Sequence, residues 1–315
     1  MEPLRIVFLG TPEFAVATLD HLIKHKYHVV GVITAPDRPA GRGRKLHGSA
    51  VKEYAQAHGL KVLQPTNLKD ALFLEDLKAL RANLQVVVAF RMLPREVWQM
   101  PKYGTFNLHA SLLPNYRGAA PINWAIINGE TETGVTTFYI DDKIDTGEII
   151  WQEKTNILPD ETAGSLHDKL MELGAILVIK TIQLIEQGKV ERKKQGDVQK
   201  LKSANKIHKE TCRIDWNRPL DAIYNHIRGL SPYPTAWTNL HNAGKTSVLK
   251  IYSGVKTREV HTFKNGTLLH DKKNIKVAVP GGFLELQEVQ LPGKRKMKVQ
   301  ELLNGTTLSA TAHVH

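Results

Sequence analysis

At 315 residues the chain exceeds one ordinary small domain, and two separate cores are expected. Apolar residues at 42% and charged residues at 23% exclude a disordered polymer, and no run approaches the length and apolarity of a membrane span. The formal net charge of +12 asks either for a polyanionic partner or for general solubilisation, and only the location of the charge separates the two.

The opening MEPLRIVFLGTPEF lacks the basic, long-apolar and small-residue parts of a signal peptide, so a cytoplasmic setting is expected. LRIVFL (4–9) reads as a buried strand, after which Thr11 can cap a helix beginning at Pro12, where a missing N–H costs nothing. HVVGVIT (28–34), LQVVVAF (84–90) and TFNLHA (105–110) follow as strands, spaced by helix-compatible stretches such as SAVKEYAQAHG. Such alternation predicts an α/β fold built on a Rossmann-like parallel sheet with crossover helices. GTPEFA after the first strand is not GxGxxG, and no ribose-binding carboxylate stands where one is needed, which argues against a nicotinamide cofactor.

TGVTTFYI (133–140) is a further strand. A long helix is predicted from about Ser165 to Glu186, because Leu166, Leu170, Leu173, Leu177 and Leu184 fall on one face. It closes a first domain at 1–188. Residues 189–209 carry eight Lys or Arg against two acids and read as an exposed basic linker, placed at 189–208. Beyond a helical stretch around PLDAIYNHIRGL come the short strands TAWTNL, TSVLKIY, GTLLH, NIKVAV and FLELQEV, a spacing that favours a smaller C-terminal β-barrel, OB-like, over 209–315. The single cysteine, Cys212, excludes an internal disulfide and reads as a bystander in a polar stretch. No HxxxH or HExxH spacing suggests zinc, so no metal is expected.

Asn107 and His109 are polar residues in an otherwise apolar strand. Being two apart they share a face, at the carboxyl end of a sheet strand where ligands of open α/β sheets bind. Asn supplies a fixed amide donor and His a titratable one, a pairing suited to holding an oxyanion and moving a proton. The turn SLLP (111–114) then offers a stiff edge, and Pro121 opens a helix. Asp145, in the Asp-Thr-Gly turn after TGVTTFYI, can return to His109 and hold its tautomer. Strand-end Asn and His also serve as mere loop supports, and spacing alone leaves both readings open.

Together, NLHASLLPNYRGAAPINWAI and GETETGVTTFYIDDKIDTGEII closely resemble the signature of the formyltransferase family that uses 10-formyltetrahydrofolate. Within it, the basic loop TAPDRPAGRGRKLHGSAVK (34–52) and a C-terminal part containing RIDW (213–216) look like the branch acting on methionyl-tRNA, so the likeness spans nearly the whole chain. The resemblance implies a folate formyl donor bound along Ser111, Leu112, Leu113 and Pro114 and near Phe90 and Arg91. It implies catalysis by Asn107, His109 and Asp145, with initiator methionyl-tRNA bound by Arg38, Arg42, Arg44, Lys45 and Lys206 and by the C-terminal barrel. No membrane partner is expected, and a monomer is the expected state. The chain departs from the family pattern at Phe90, Arg91, Met92, Leu93 and Pro94, where a glycine often follows the aromatic residue. A formyltransferase of aminosugar nucleotides or glycinamide ribonucleotide, or a catalytically silent RNA-binding homologue, is the alternative. Neither needs the basic loop, the barrel and the polar trio together. Lys200, Lys202 and the cluster GKRKMK (293–298) extend the expected basic track, whereas Trp124 is expected to pack in a core.

Overall fold

The computed structural model describes residues 2–40, 45–196 and 201–315. Its first apolar run folds as the strand Ile6–Gly10, buried at every residue and lying inside a seven-stranded sheet. Val29–Ile33 and Val62–Leu63 lie to one side of it, Leu84–Val88 and Thr105–His109 to the other, and these five strands are parallel. Parallel strands are covered on both faces, which is why they read as continuous apolar runs and not as alternation. Chain order runs outward from Ile6–Gly10 in one direction and then restarts on its other side, so a crevice opens at the carboxyl ends.

The pattern predicts the parallel part of this sheet; its edge is mixed. Glu132–Tyr139 joins antiparallel to Thr105–His109, and Ile149–Asn156 is the outer strand. The first helix also differs from expectation. It runs from Glu13 to Lys24, with Pro12 extended at the cap position and no side chain capping it, so Thr11 plays no capping part. Glu13 in the first turn meets the helix dipole instead.

The helix Ala163–Glu186 buries Leu166, Leu170 and Leu177 as expected, but Leu173 and Leu184 lie at its half-buried margins. Val178, Thr181, Ile182 and Ile185 complete the covered face. Gly174 admits the close approach to the sheet: a Cβ there would stand 2.7 Å from Leu108 Cδ2. Leu108 therefore points at the helix, and Asn107 and His109 take the other face of the strand.

Two compact units divide the chain. The first comprises 1–118, 133–155 and 167–203, the second 119–132, 156–166 and 204–315. The border differs from one drawn at 188, because two N-terminal segments belong to the second core. The helix Pro121–Ile127, with Pro at its first position, packs Ile127 and Trp124 into the apolar cluster that holds Ile223 and Ile227. Trp124 is thus a packing residue, and its indole N–H donates to the Asn205 carbonyl at 2.7 Å.

In the second unit the antiparallel strands run in the order Leu268–His270, Ile275–Val279, Gly282–Gln290, Lys245–Thr257, Ala236–Asn242 and His313–Val314. Thr267 bridges His313, and Val314 N–H donates to Gly266, so the two ends of that order meet in a nearly closed barrel. RIDW alternates across its wall: Ile214 and Trp216 are buried while Arg213 and Asp215 face water. The Trp216 indole is satisfied by Thr238 Oγ1 at 2.9 Å. Cys212 is free and buried, and burial pushes its thiol up.

His226, 8% exposed, has no partner for Nε2. Burial, reinforced by Arg218 and opposed by the Cys212 carbonyl, pushes its imidazole down to about 4. The folded form then binds fewer protons than the unfolded one between about 4 and 6.5, so its stability is complete above that window and declines as pH falls through it. Denaturant unfolding of the second unit should lose on the order of 3 kcal/mol between pH 6.5 and 4 from this group. His226→Gln should flatten that slope, as followed by tryptophan fluorescence.

Candidate active site

Thr105–His109 lies between Leu84–Val88 and Glu132–Tyr139, with Asn107 opposite Val87 and Phe138 and His109 opposite Thr136. Central strands hold side-chain direction firmly, since a one-residue slip would bury the wrong face. His109 is 7% exposed and Asn107 half-buried. Among the described residues no hydrogen bond engages the Asn107 amide, which leaves it available to a ligand.

The expectation that Asp145 holds the His109 tautomer needs correction. His109 Nε2 lies 2.8 Å from the Tyr116 carbonyl, an acceptor only, so Nε2 carries the proton. Asp145 Oδ2 stands 3.8 Å from Nδ1, within ion-pair range but beyond a hydrogen bond. That carboxylate is fixed from elsewhere, accepting the Gly118 N–H at 2.9 Å. Tyr116 and Asp145 both adopt the left-handed conformation, at φ 61° and 55°. Such φ values are uncommon for residues other than glycine, and here they turn a carbonyl and a carboxylate toward one point. Gly147 allows the Asp145 turn to close, because a Cβ there would fall 1.6 Å from the Tyr139 carbonyl oxygen.

The SLLP turn is rigid for an identifiable reason. Ser111 Oγ donates to the Asn115 carbonyl at 2.8 Å, and Thr136 Oγ1 donates to the Ser111 carbonyl at 2.6 Å. Leu113 N–H donates to Thr136 Oγ1 and its carbonyl accepts from Gln152 at 3.0 Å. The Leu113–Pro114 peptide is cis. The polar groups of Ser111 and Leu113 are therefore committed inside the protein, and Leu112 and Pro114 are the partly exposed members. Near Phe90, Ala89 is left-handed at φ 48°, ending the strand. Arg91 donates to the carbonyls of Thr66 and Pro65 and lies 5.8 Å over the Phe90 ring. Burial, and after it the charge of Arg38, lower the Arg91 pKa.

In the basic loop Arg38–Ala40 pairs antiparallel with Lys45–His47, and Arg38 is exposed. Arg42, Arg44, the side chain of Lys45, and Lys200 lie outside the described residues. Lys52 is not a free cation but donates to Asp37 Oδ2 at 2.6 Å. Lys206 is exposed in the second unit. Within GKRKMK, Arg295 pairs with Glu301 and Lys296 with Glu288, which reduces the charge available there. No group of three or more His, Cys, Asp or Glu among the described residues forms a metal-binding cluster.

Sequence reasoning missed Tyr116, Gly118, Thr136 and Gln195. The Gln195 carboxamide donates to the carbonyls of Asp145 and Gly147 at 2.9 and 2.8 Å, and accepts from Arg117 Nε and Nη2 at 3.1 and 2.6 Å. No composition signal marks a glutamine in a lysine-rich stretch.

An unengaged amide, an imidazole with one free nitrogen and an anchored carboxylate can together stabilise a developing oxyanion and relay a proton. The family model described as formyl transferase matches residues 4–182, and that described as formyl transferase, C-terminal domain, matches residues 206–307. Curated proteins named methionyl-tRNA formyltransferase are similar throughout. That of Flavobacterium johnsoniae is 60% identical over 315 residues, all of both chains, and that of Bacteroides fragilis 54% identical over 313 residues, 98% of this chain and 97% of its own. Among solved structures, WlaRD, a sugar 3N-formyl transferase crystallised with dTDP and 5-N-formyl-THF, matches with a TM-score of 0.66 at 21% identity, covering 94% of this chain and 100% of its own. HypX of Aquifex aeolicus, in complex with tetrahydrofolic acid, matches with a TM-score of 0.64 at 16% identity, covering 96% of this chain and 47% of its own. With both of its units matched and its likeness to named relatives unbroken from end to end, the chain belongs to the formyl transferase family, alongside the methionyl-tRNA formyltransferases.

Proposed function

We propose that the protein transfers the formyl group of 10-formyltetrahydrofolate to the α-amino group of initiator methionyl-tRNA, for translation initiation in the cytoplasm. The observation that carries the substrate is the end-to-end identity to proteins named for that reaction, through the barrel unit as well as the catalytic one. Among the described residues no helix is long and apolar enough to cross a membrane.

In this reading the α-amine attacks the formyl carbon, and the negative charge that forms on the formyl oxygen is met by the Asn107 amide, and by His109 once Nδ1 carries a proton. The bond to the folate nitrogen then breaks; the amine has lost a proton and the folate nitrogen has gained one. Nε2–H is spent on Tyr116, so Nδ1 is the nitrogen that takes up or gives the transferred proton. Asp145, 3.8 Å from Nδ1, sets a carboxylate beside that nitrogen and assists the proton transfer. The protein supplies alignment and electrostatics and forms no covalent bond of its own. Leu112 and Pro114, on the turn that Ser111 and Leu113 brace from inside, with Phe90 and Arg91, are the proposed folate contacts. Arg38, Arg42, Arg44, Lys45 and Lys206 are the proposed tRNA contacts, through phosphates.

Incubation with 10-formyltetrahydrofolate and, in parallel, methionyl-tRNA, uncharged tRNA, an aminosugar nucleotide and glycinamide ribonucleotide tests the assignment. Formylation of methionyl-tRNA alone is expected, and formylation of a small amine in its place would refute it. Asn107→Ala and His109→Ala should each lower kcat by about 100-fold or more, with KM for the tRNA within a fewfold of wild type. Arg42→Ala combined with Lys45→Ala should raise the tRNA KM and weaken its salt dependence while leaving folate binding unchanged, as measured by rates across a salt series.

A further inference from the structure

The stretch after residue 188 reads in the sequence as an exposed linker, yet it contains a side chain wholly committed to the first unit. Lys193 and Ile149 exchange two backbone hydrogen bonds of 2.8 and 2.9 Å, an antiparallel bridge that fixes the chain just before Gln195. Gln195 is half-buried, and its Nε2 donates to the carbonyls of Asp145 and Gly147 at 2.9 and 2.8 Å. Its Oε1 accepts from Arg117 Nε and Nη2 at 3.1 and 2.6 Å. Carbonyls only accept and a guanidinium only donates, so the partners dictate which end of the carboxamide faces which. Both of its hydrogens and both of its lone pairs are used.

These bonds close a ring around Asp145. Its carboxylate accepts the Gly118 N–H at 2.9 Å, Gly118 follows Arg117 in the chain, the Arg117 guanidinium binds Gln195, and Gln195 returns to the Asp145 carbonyl. Asp145 is thus gripped by side chain and by backbone. Its φ of 55° is uncommon outside glycine and persists only where the surroundings impose it. The turn has other supports, since Thr146 Oγ1 donates to Asp141 and Tyr139 N–H donates to the Glu148 carbonyl. Without Gln195 the turn therefore survives, and what it loses is the aim of Asp145.

We infer that Gln195 is a positioning residue for the formyl transfer: by closing this ring it holds the Asp145 carboxylate beside His109 Nδ1. The inference rests on the function proposed above and extends it to a residue outside the polar trio. Asp145 Oδ2 stands 3.8 Å from Nδ1 and makes no hydrogen bond to it, so its place is set by these supports and not by the imidazole. A carboxylate acts on a neighbouring charge through distance, and a misplacement of about 1 Å in an active site can cost on the order of 100-fold in rate. Gln195 is not among the proposed folate or tRNA contacts, so the effect falls on kcat and not on KM. Glutamate cannot replace the carboxamide, because it keeps the acceptor for Arg117 but loses both donors and sets a carboxylate against two carbonyl oxygens. Methionine fills much the same space and offers neither carbonyl a donor.

The test is a double-mutant cycle on the full chain: wild type, Gln195→Met, Gln195→Glu, Asp145→Asn and each Gln195 variant combined with Asp145→Asn. Single-turnover and steady-state rates are measured with 10-formyltetrahydrofolate and methionyl-tRNA, well below the lowest melting temperature of the set, so that unfolding does not enter. Gln195→Met and Gln195→Glu should each lose about tenfold or more in kcat, with KM for either substrate changed less than about threefold. In the Asp145→Asn background the same substitutions should cost less than about twofold, because a residue that acts only through the carboxylate has nothing left to position. Equal losses in both backgrounds would overturn the inference by marking Gln195 as a general support, and so would wild-type kcat in either single variant or a loss that falls on KM. If wild type formylates a small amine in place of methionyl-tRNA, the proposed acceptor has failed, and the cycle is read on that amine, since the ring concerns His109 and Asp145 and not the acceptor. Formylation of no amine would overturn both.

Discussion

The backbone of residues 115–118 holds two of the three polar members of the candidate site, His109 and Asp145. Its Tyr116 carbonyl takes the Nε2 proton of His109, and its Gly118 N–H holds the carboxylate of Asp145. Backbone dipoles in a pinned turn cannot rotate away as charge develops, so the environment they create needs no reorganisation during reaction. The left-handed Tyr116 is the conformational cost of aiming a carbonyl this way, of order 1–3 kcal/mol for such residues. The Ser111 bond to Asn115 and the Lys202 bonds to Asn115 and Tyr116 offset it by leaving the turn no alternative.

How much of this was legible in the sequence depended on whether it followed a short period. Strand parity alone put Asn107 and His109 on one face, and the structure has Leu108 turned the other way against Gly174. The parallel strands were legible because burial on both faces imposes unbroken β-branched runs. The long helix was legible in Leu166, Leu170 and Leu177, yet its margins were not, since leucine is tolerated there without being buried. The cap at Thr11 failed because a proline in extended conformation can start a helix without any side-chain bond. Least legible was everything fixed by backbone groups. Nothing in NYRG announces that a tyrosine carbonyl and a glycine amide will divide a histidine and an aspartate between them, because every residue carries those same groups.

The positive charge proves less uniform than its count. Lys52 is committed to Asp37, which Gln64 also binds, and these two bonds, Gln64 first, hold the Asp37 carboxyl below its usual range. Arg295 and Lys296 are matched by Glu301 and Glu288, and Lys256 and Arg258 share Asp221. Arg91 is satisfied by carbonyls and feels Arg38 nearby. Net charge therefore overstates the surface open to phosphates.

The bonds of Gln195 to Arg117 and to the 145–147 turn span 78, 50 and 48 positions along the chain. During synthesis, which proceeds from the amino end, the sheet and its covering helix can be complete while a ribosome still holds every residue after 188. At that moment the nascent polypeptide owns Asn107, His109 and Asp145 but not Gln195, which is bonded to the 145–147 turn. The candidate site thus receives its last braces late in the birth of the molecule, after its scaffold has hardened.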